Sequence, residues 1–160
     1  MIKGINKYLF LTILLLIWQL CACNDKLIYT DSIAMPGEEW DLENAALFRP
    51  EITDTTTSNN IYLNIRTGSS YPFRNIWFFV TTTSPGGRSI TDTLQYMLAD
   101  EKGKWYGRGS GNIHELYLRF KTNVYFPKKG IYLFNISHGM RVEKLKGVYD
   151  IGLKIERVVK

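Results

Sequence analysis

Residues 61–66 read IYLNIR, and this short stretch decides the fold class. Its isoleucine and leucine side chains alternate with tyrosine, asparagine and arginine, a period of two residues that is typical of a strand with one buried face. A second stretch, NIWFFVTTT at residues 75–83, is apolar through its centre, so we expect a central strand buried on both faces. Neither stretch has the 3.6-residue apolar period of an amphipathic helix. Together they predict an all-β protein.

Further runs in the rest of the chain also have the character of strands. They cover residues 90–98, 103–106, 113–126, 131–137 and 148–158. Turns rich in glycine and proline separate them at intervals that suit a β-sandwich. We therefore predict a single-domain antiparallel β-sandwich, Ig-like or jelly-roll-like, over residues 27–160. Two local features are also expected: a β-bulge at Gly152, and one helical turn over residues 140–146.

The N-terminus has the features of a secretory signal. Lys3 and Lys7 precede an apolar run over residues 8–20, which is shorter than the ~20 residues that span a bilayer. Leu20-Cys21-Ala22-Cys23 follows, the pattern of a bacterial lipoprotein signal. We predict a signal peptide over residues 1–22, cleavage between Ala22 and Cys23, acylation of Cys23, and a lipidated tether at residues 23–26. Residues 24–31 are expected to lead into the first strand.

The residue inventory argues against catalysis. Both cysteines belong to the signal, so the mature domain has no thiol for a disulfide, a nucleophile or a metal. His138 follows Ser137 on a strand end, so the two side chains point to opposite faces, and both histidines are expected at the surface or in loops. The glycines at 107, 109 and 111 lack the following helix that a nucleotide site needs. We expect no enzyme activity, cofactor, metal, nucleic acid or small-molecule substrate.

Charge and aromatic content indicate a binding protein. The formal net charge is +5, with acidic residues concentrated in 23–100 and basic residues in 101–160. This asymmetry can mark an acidic partner or a membrane face, unless strands from both halves interleave and mix the charges. Of the aromatic residues, we expect Trp77 in the core. Trp40 and Trp105 flank polar turns and are candidates for stacking on sugars or for a protein interface.

A series of motifs along the mature chain carries a family resemblance. They are Tyr71-Pro72-Phe73-Arg74-Asn75, Asp92-Thr93-Leu94, Gly103-Lys104-Trp105-Tyr106-Gly107, Phe126-Pro127-x-x-Gly130, His138-Gly139-Met140-Arg141 and Gly147-Val148-x-Asp150-Ile151-Gly152-Leu153. The chain resembles the gliding motility lipoprotein family GldH of the Bacteroidota. This resemblance implies a lipid-anchored protein of the cell envelope, expected at the outer membrane. It would be a non-enzymatic scaffold that works with other motility lipoproteins and the linked type IX secretion machinery.

Loops on a rigid sandwich are where binding surfaces usually sit. We predict that Trp105, Tyr106, Arg108 and Arg141 form a protein-binding surface, unless Trp105 caps the core and Arg141 pairs with a strand acid. The alternative function is a glycan-binding lipoprotein of the outer-membrane surface that uses its aromatics for stacking.

A modification site is also predicted. Asp54-Thr55-Thr56 fits the O-glycosylation pattern of the Bacteroidota, which makes Thr55 the candidate.

Overall fold

The computed structural model describes residues 26–159. The predicted signal peptide and Cys23 lie outside the described residues. Within them the chain forms strands joined by turns and one short 3-10 segment, Pro36–Glu38. The strands are β1 Leu27–Ala34, β2 Glu39–Asp41, β3 Ala46–Phe48, β4 Glu51–Ile52, β5 Asn59–Gly68, β6 Asn75–Thr83, β7 Ser89–Met97, β8 Arg108–Ser110, β9 Ile113–Val124, β10 Gly130–Ile131, β11 Leu133–His138, β12 Lys144–Lys146 and β13 Val148–Arg157.

Two antiparallel sheets build the molecule. The five-stranded sheet has the order β1-β13-β5-β9-β8, and the four-stranded sheet has the order β3-β11-β6-β7. Two small ribbons, β2 with β12 and β4 with β10, complete the pairing. Strands from both halves of the chain interleave in each sheet, so charges of both signs share its faces. The prediction of an all-β antiparallel sandwich is confirmed.

The core lies between the sheets and follows the two-residue period of the strands. In β5 the side chains of Ile61, Leu63 and Ile65 are buried, as the alternation predicts. Both sheets contribute to the same core. The facing four-stranded sheet supplies Ile76, Phe78, Val80, Phe134 and Ile136, and the neighbouring strands β9 and β13 in the same sheet as β5 supply Leu116, Leu118, Ile151, Leu153 and Ile155.

The predicted roles of two tryptophans are reversed. Trp40 is fully buried, and its indole Nε1 donates a hydrogen bond to the carbonyl oxygen of Asn44 at 2.9 Å. Trp77 is 37% exposed, because β6 buries only the face that carries Ile76 and Phe78. The strand is central in its sheet, but the prediction that both of its faces are buried was wrong.

Several local predictions also need correction. Residues 140–146 form bends followed by β12 instead of a helical turn. Residues 103–106 form a turn with one isolated bridge from Trp105 to Ala99 instead of a strand. The irregularity in β13 lies between Val148 and Asp150, so the bulge is not at Gly152.

Two predictions about exposure and strand limits were also wrong. The first strand begins at Leu27, so the chain before residue 31 is only partly a lead-in segment. His138 is fully buried and is not a surface histidine.

The sandwich has two ends that differ in their residues. At the N-terminal end lie the start of β1 and the loops at residues 53–58, 84–88 and 125–129. The Arg157 amide donates to the Lys26 carbonyl oxygen at 2.7 Å there, which fixes the residue before β1 to β13. At the distal end lie the loops at residues 69–74, 98–107 and 139–143. None of the helical segments in residues 26–159 is long and apolar enough to cross a membrane.

Candidate functional site

An apolar patch lies on the outer face of the four-stranded sheet. Its members are Trp77 and Phe79 on β6, Met97 at the end of β7, and Met140 in the loop after β11. Trp77, Phe79 and Met97 are 37%, 41% and 42% exposed, respectively. Large apolar side chains that cluster on one solvent-facing surface mark an interaction site more often than scattered ones do.

Strand register explains why these side chains face outward together. Trp77 pairs with Gln95, Phe79 pairs with Thr93, and Asn75 pairs with Met97. Because directly paired residues point to the same face of a sheet, the patch has a polar border of glutamine and threonine. An apolar centre with a polar border is the usual anatomy of a protein–protein interface.

The loop after β11 connects the patch to the side chain of Arg141. The Gly139 amide donates to the Trp77 carbonyl oxygen at 2.7 Å, and the Met140 sulfur accepts from the Trp77 amide at 3.4 Å. A Cβ on Gly139 would lie 3.0 Å from the Phe79 ring, so this position favours glycine. A shallow cavity of about 560 Å³ results, lined by Phe73, Asn75, Trp77, Gly139, Met140, Arg141 and Val142. Arg141 is exposed at its rim.

Trp105 lies at the same end of the molecule but packs partly inward. Its ring stacks on His114, with centroids 4.9 Å apart and planes 11° apart. Tyr71 meets Trp105 edge-on at 6.1 Å and Phe73 at 6.0 Å. This aromatic row joins the Trp105 loop to the cavity beside Arg141. Trp105 is half-buried, so it packs at the distal end and is still partly accessible to solvent.

Tyr71 anchors this aromatic row. Its hydroxyl donates to the carbonyl oxygen of Asn75 at 2.8 Å, and burial raises the pKa of the phenol. Tyr71 is therefore a neutral structural residue that holds the row in place.

Tyr106 and Arg108 are exposed neighbours of Trp105. The loop that carries Tyr106 is held by the Asp100 carboxylate, which accepts from the amides of Lys102 and Lys104 at 2.8 Å each. The Tyr106 amide then donates to the Leu98 carbonyl oxygen at 2.9 Å. The structure thus places all four predicted residues at the distal end. Arg141 lies at the rim of the cavity beside the patch, Trp105 belongs to the aromatic row, and Tyr106 and Arg108 lie beyond that row. Trp77 and Phe79, which the sequence pattern placed on a strand buried on both faces, are exposed on the patch.

Thr55 lies at the opposite end, in the loop between β4 and β5, where it is half-buried. The neighbouring Asp54 carboxylate accepts from the hydroxyl of Thr57 at 2.6 Å and from the hydroxyl and amide of Thr56 at 2.7 and 2.8 Å. These hydrogen bonds hold the pKa of Asp54 well below its usual range. They also occupy the neighbouring hydroxyl groups, and glycosylation of Thr55 stays a prediction.

Among residues 26–159, the buried titratable side chains of Asp150 and His138 lie against neighbouring side chains. In that part of the chain no three histidine, cysteine or acidic side chains gather around a point where a metal could bind. Buried Asp150 is paired with Arg66, an arrangement that stabilises the sheet. His138 lies against the ring of Trp40 at 5.4 Å, and burial lowers the pKa of its imidazole.

The outer face of the five-stranded sheet is polar, in contrast to the patch. Tyr117 is 56% exposed there, with the ammonium of Lys154 5.6 Å from its ring centroid. Nearby, the Asn64 amide donates to the Glu115 carboxylate at 2.7 Å. These side chains line a shallow cavity of about 500 Å³ that also includes Asp31.

Comparison with known proteins places this architecture in a family. The family model described as GldH lipoprotein matches residues 27–155. A gliding motility lipoprotein GldH of Flavobacterium johnsoniae is 32% identical over 145 residues, which cover 86% of this chain and 89% of that protein. A gliding motility lipoprotein GldH homolog of Christiangramia forsetii is 29% identical over 143 residues, 85% and 87% of the two chains.

Solved structures show weaker similarity. An infectious bursal disease virus structure matches at a TM-score of 0.31 with 14% identity, over 82% of this chain and 30% of that chain. A CBM35 domain from Cellvibrio japonicus Abf62 matches at 0.29 with 12% identity, over 86% and 94%. Scores this low carry no argument about function. The family model and the two curated relatives do, and they show that the chain belongs to the GldH lipoprotein family.

Proposed function

We propose that this protein is a lipid-anchored, non-enzymatic component of the gliding motility machinery, and that it binds other envelope proteins through the apolar patch. The names of the two curated relatives support the link to gliding motility. The observation that carries the binding role is the exposure of Trp77, Phe79 and Met97 on one sheet face. Trp, Met and Arg are residue types enriched at protein interfaces.

The contact is proposed to extend from the patch to Arg141 and, across the aromatic row, to Tyr106 and Arg108. Arg141 is exposed beside the apolar cavity and can pair with an acidic group on the partner. Other motility lipoproteins and components of the linked type IX secretion machinery are the proposed partners.

Acylation of Cys23 is proposed as the anchor, and the outer membrane as the location. The family name and the signal pattern at Leu20–Cys23 support the anchor. Several acyl chains on one cysteine would hold the protein stably, whereas one chain alone binds a membrane only marginally.

An affinity pull-down from crosslinked envelopes tests the binding role. We would compare the wild-type protein, a Trp77→Ser/Phe79→Ser variant and a Tyr117→Ser control on the opposite sheet. The proposal expects recovery of motility or secretion proteins with the wild type and the control, and loss with the double variant. Equal recovery with all three proteins would remove the patch from the proposal.

Glycan binding is the second candidate, and the polar face around Tyr117 favours it. An exposed aromatic ring flanked by amide, carboxylate and ammonium groups can stack on a sugar and hydrogen-bond its hydroxyls. A glycan array probed with the lipidated protein in detergent would show binding that Tyr117→Ala abolishes and Trp77→Ser retains. Absence of any glycan signal would exclude this candidate.

A further inference from the structure

The N-terminal end of the sandwich carries a surface that the proposed partner contact does not use. Arg88, Lys128 and Lys129 are exposed there, and Tyr125 is 63% exposed beside them. Together with exposed Ile90, these residues form what we call the basic end. Arg88, Ile90, Tyr125 and Lys128 also line a cavity of about 420 Å³ between the two sheets.

Two of the acidic residues near the basic end, Asp92 and Asp54, are already engaged, whereas Glu51 on β4 is exposed. Asp92 forms an ion pair with Lys121 at 2.8 Å, bridging β7 and β9. The Asp54 carboxylate is occupied by the hydroxyl groups of Thr56 and Thr57. Within residues 26–159, Arg88, Lys128 and Lys129 form no ion pair, and these three cations outnumber the exposed carboxylate of Glu51. The net positive charge at this end attracts anions.

The start of β1 lies at this same end. Leu27 on β1 pairs with Glu156 on β13. At the same end of the sheet, Asn59 on β5 pairs with Val124 on β9, the residue before Tyr125. Three strand spacings separate β1 from β9, a distance of about 14 Å. Cys23 is four residues from Leu27 and can be at most about 14 Å away along an extended chain. An anchor at Cys23 therefore holds the basic end close to the lipid.

We propose that the basic end rests on the membrane surface, with Arg88, Lys128 and Lys129 at anionic lipid head groups and Tyr125 and Ile90 in the interfacial layer. The inference rests on the proposed anchor at Cys23. Tyrosine suits this position because its ring is apolar and its hydroxyl is polar, and lysine extends its stem along apolar surface to reach charged groups. Basic residues next to a membrane are attracted to anionic lipids.

This orientation has a consequence for the binding face. The distal end, with Tyr106 and the loop that carries Arg141, points away from the lipid. Trp77 and Met97 lie in the distal half of β6 and β7. A membrane-bound protein would therefore present its patch sideways and outward to a partner.

Site-specific fluorescence quenching tests the orientation. The full lipidated protein is reconstituted in vesicles of phosphatidylcholine and phosphatidylglycerol that contain a nitroxide-labelled lipid. A fluorescent maleimide is attached at Tyr125→Cys or, as a matched exposed control, at Tyr106→Cys. Each introduced thiol is unique under the proposed anchor, because cleavage removes Cys21 and acylation consumes the Cys23 sulfur. We expect quenching at position 125 at least several-fold stronger than at position 106, and equal quenching at the two positions would overturn the proposal.

Charge reversal supplies the second arm of the test. Lys128→Glu/Lys129→Glu should weaken quenching at position 125, whereas Lys102→Glu/Lys104→Glu at the distal end should leave it unchanged. In vesicles of phosphatidylcholine alone, the effect of Lys128→Glu/Lys129→Glu should disappear. Full quenching with Lys128→Glu/Lys129→Glu in anionic vesicles would contradict the head-group contact. Flotation of the protein with the vesicles tests the anchor separately. Loss of flotation would count against the anchor at Cys23 and not against the orientation.

Discussion

At the scale of single residues, the environments of Trp40 and Trp77 differ most clearly. The Trp40 ring is fully buried, 6.0 Å from the ring of Phe78 and in edge contact with His138. Trp77 is next to Phe78 on β6 but points to the opposite face of the sheet, where its ring is partly exposed to solvent. One tryptophan therefore contributes to folding and the other is available for binding.

Substitution of the two tryptophans should separate these roles. We expect Trp40→Ala to lower the free energy of unfolding by about 3–5 kcal/mol, because it removes a large buried ring and leaves a cavity. Trp77→Ala should cost no more than about 1 kcal/mol, since the ring is already partly hydrated. Urea unfolding followed by circular dichroism measures both values. Similar losses for the two variants would contradict the assignment.

His138 should give the fold a dependence on pH. Burial lowers the pKa of the His138 imidazole in the folded protein below its unfolded value of about 6.5. As the pH falls, the unfolded chain therefore binds the proton first. Stability is therefore complete above about pH 6.5 and falls as the pH drops toward the folded pKa. The slope is at most about 1.4 kcal/mol per pH unit.

Urea unfolding between pH 5 and 8 measures this slope. His138→Phe should flatten it, because the buried imidazole that takes up the proton on unfolding is gone. A slope that persists unchanged in His138→Phe would assign the dependence to other groups.

At the scale of strands and loops, most of the long strands were predicted from the sequence because they follow the two-residue period. The exception is β1, whose first half was predicted to be a lead-in segment. The limits of β6 were predicted as 75–83 and are found there, and β9 and β13 differ by one or two residues at their ends. The short β8 and the ribbon of β2 with β12 were missed, since strands of three residues depend on partners far along the chain.

The binding face was missed for a different physical reason. In NIWFFVTTT, apolar residues occupy both faces of the strand, so the pattern does not reveal which face is exposed. Only the register with β7 and β11 decides that Ile76, Phe78 and Val80 face the core. The distal loops, by contrast, were recognisable from the motifs around Trp105 and Arg141.

The loop before β13 offers a test at the same scale. Gly147 has φ +75°, and a Cβ there would collide with the backbone of Tyr71. Gly103 has φ +80° but no atom within 4 Å of the same position. We expect Gly103→Ala to cost about 1–2 kcal/mol from backbone strain alone. Gly147→Ala should cost at least about 1–3 kcal/mol more because the collision adds to that strain.

Thermal and urea unfolding of both glycine variants provide the measurement. The comparison isolates the collision because the two positions share the same left-handed backbone conformation. If Gly147→Ala were as stable as Gly103→Ala, the result would contradict the close contact between this loop and the backbone of Tyr71.

At the scale of the whole molecule, the two ends of the sandwich have different proposed roles, one toward the membrane and the other toward a partner protein. The N-terminal end holds the start of β1 and the exposed cations, and the distal end holds the aromatic row and Arg141. Because the sheets are continuous from end to end, they act as a rigid spacer between the proposed membrane contact and the proposed partner contact.

The anchor can be tested on the intact protein. Cys23→Ser should leave an uncleaved precursor without the mass of the acyl chains, because the thiol that receives the lipid is gone. The β-sandwich should fold unchanged, since it begins at Leu27. Intact mass spectrometry of the purified protein checks cleavage and acylation together. A mature, acylated product from Cys23→Ser would refute the assignment of the anchor.

Photo-crosslinking in living cells tests the central claim most directly, namely that the patch binds a partner. A photoreactive phenylalanine derivative replaces Phe79 on the patch or, as the matched control, Tyr117 on the polar face. Our account predicts covalent adducts with envelope proteins from position 79, identified by mass spectrometry, and few or none from position 117. Adducts from position 117 alone would contradict the account and favour the polar face as the contact.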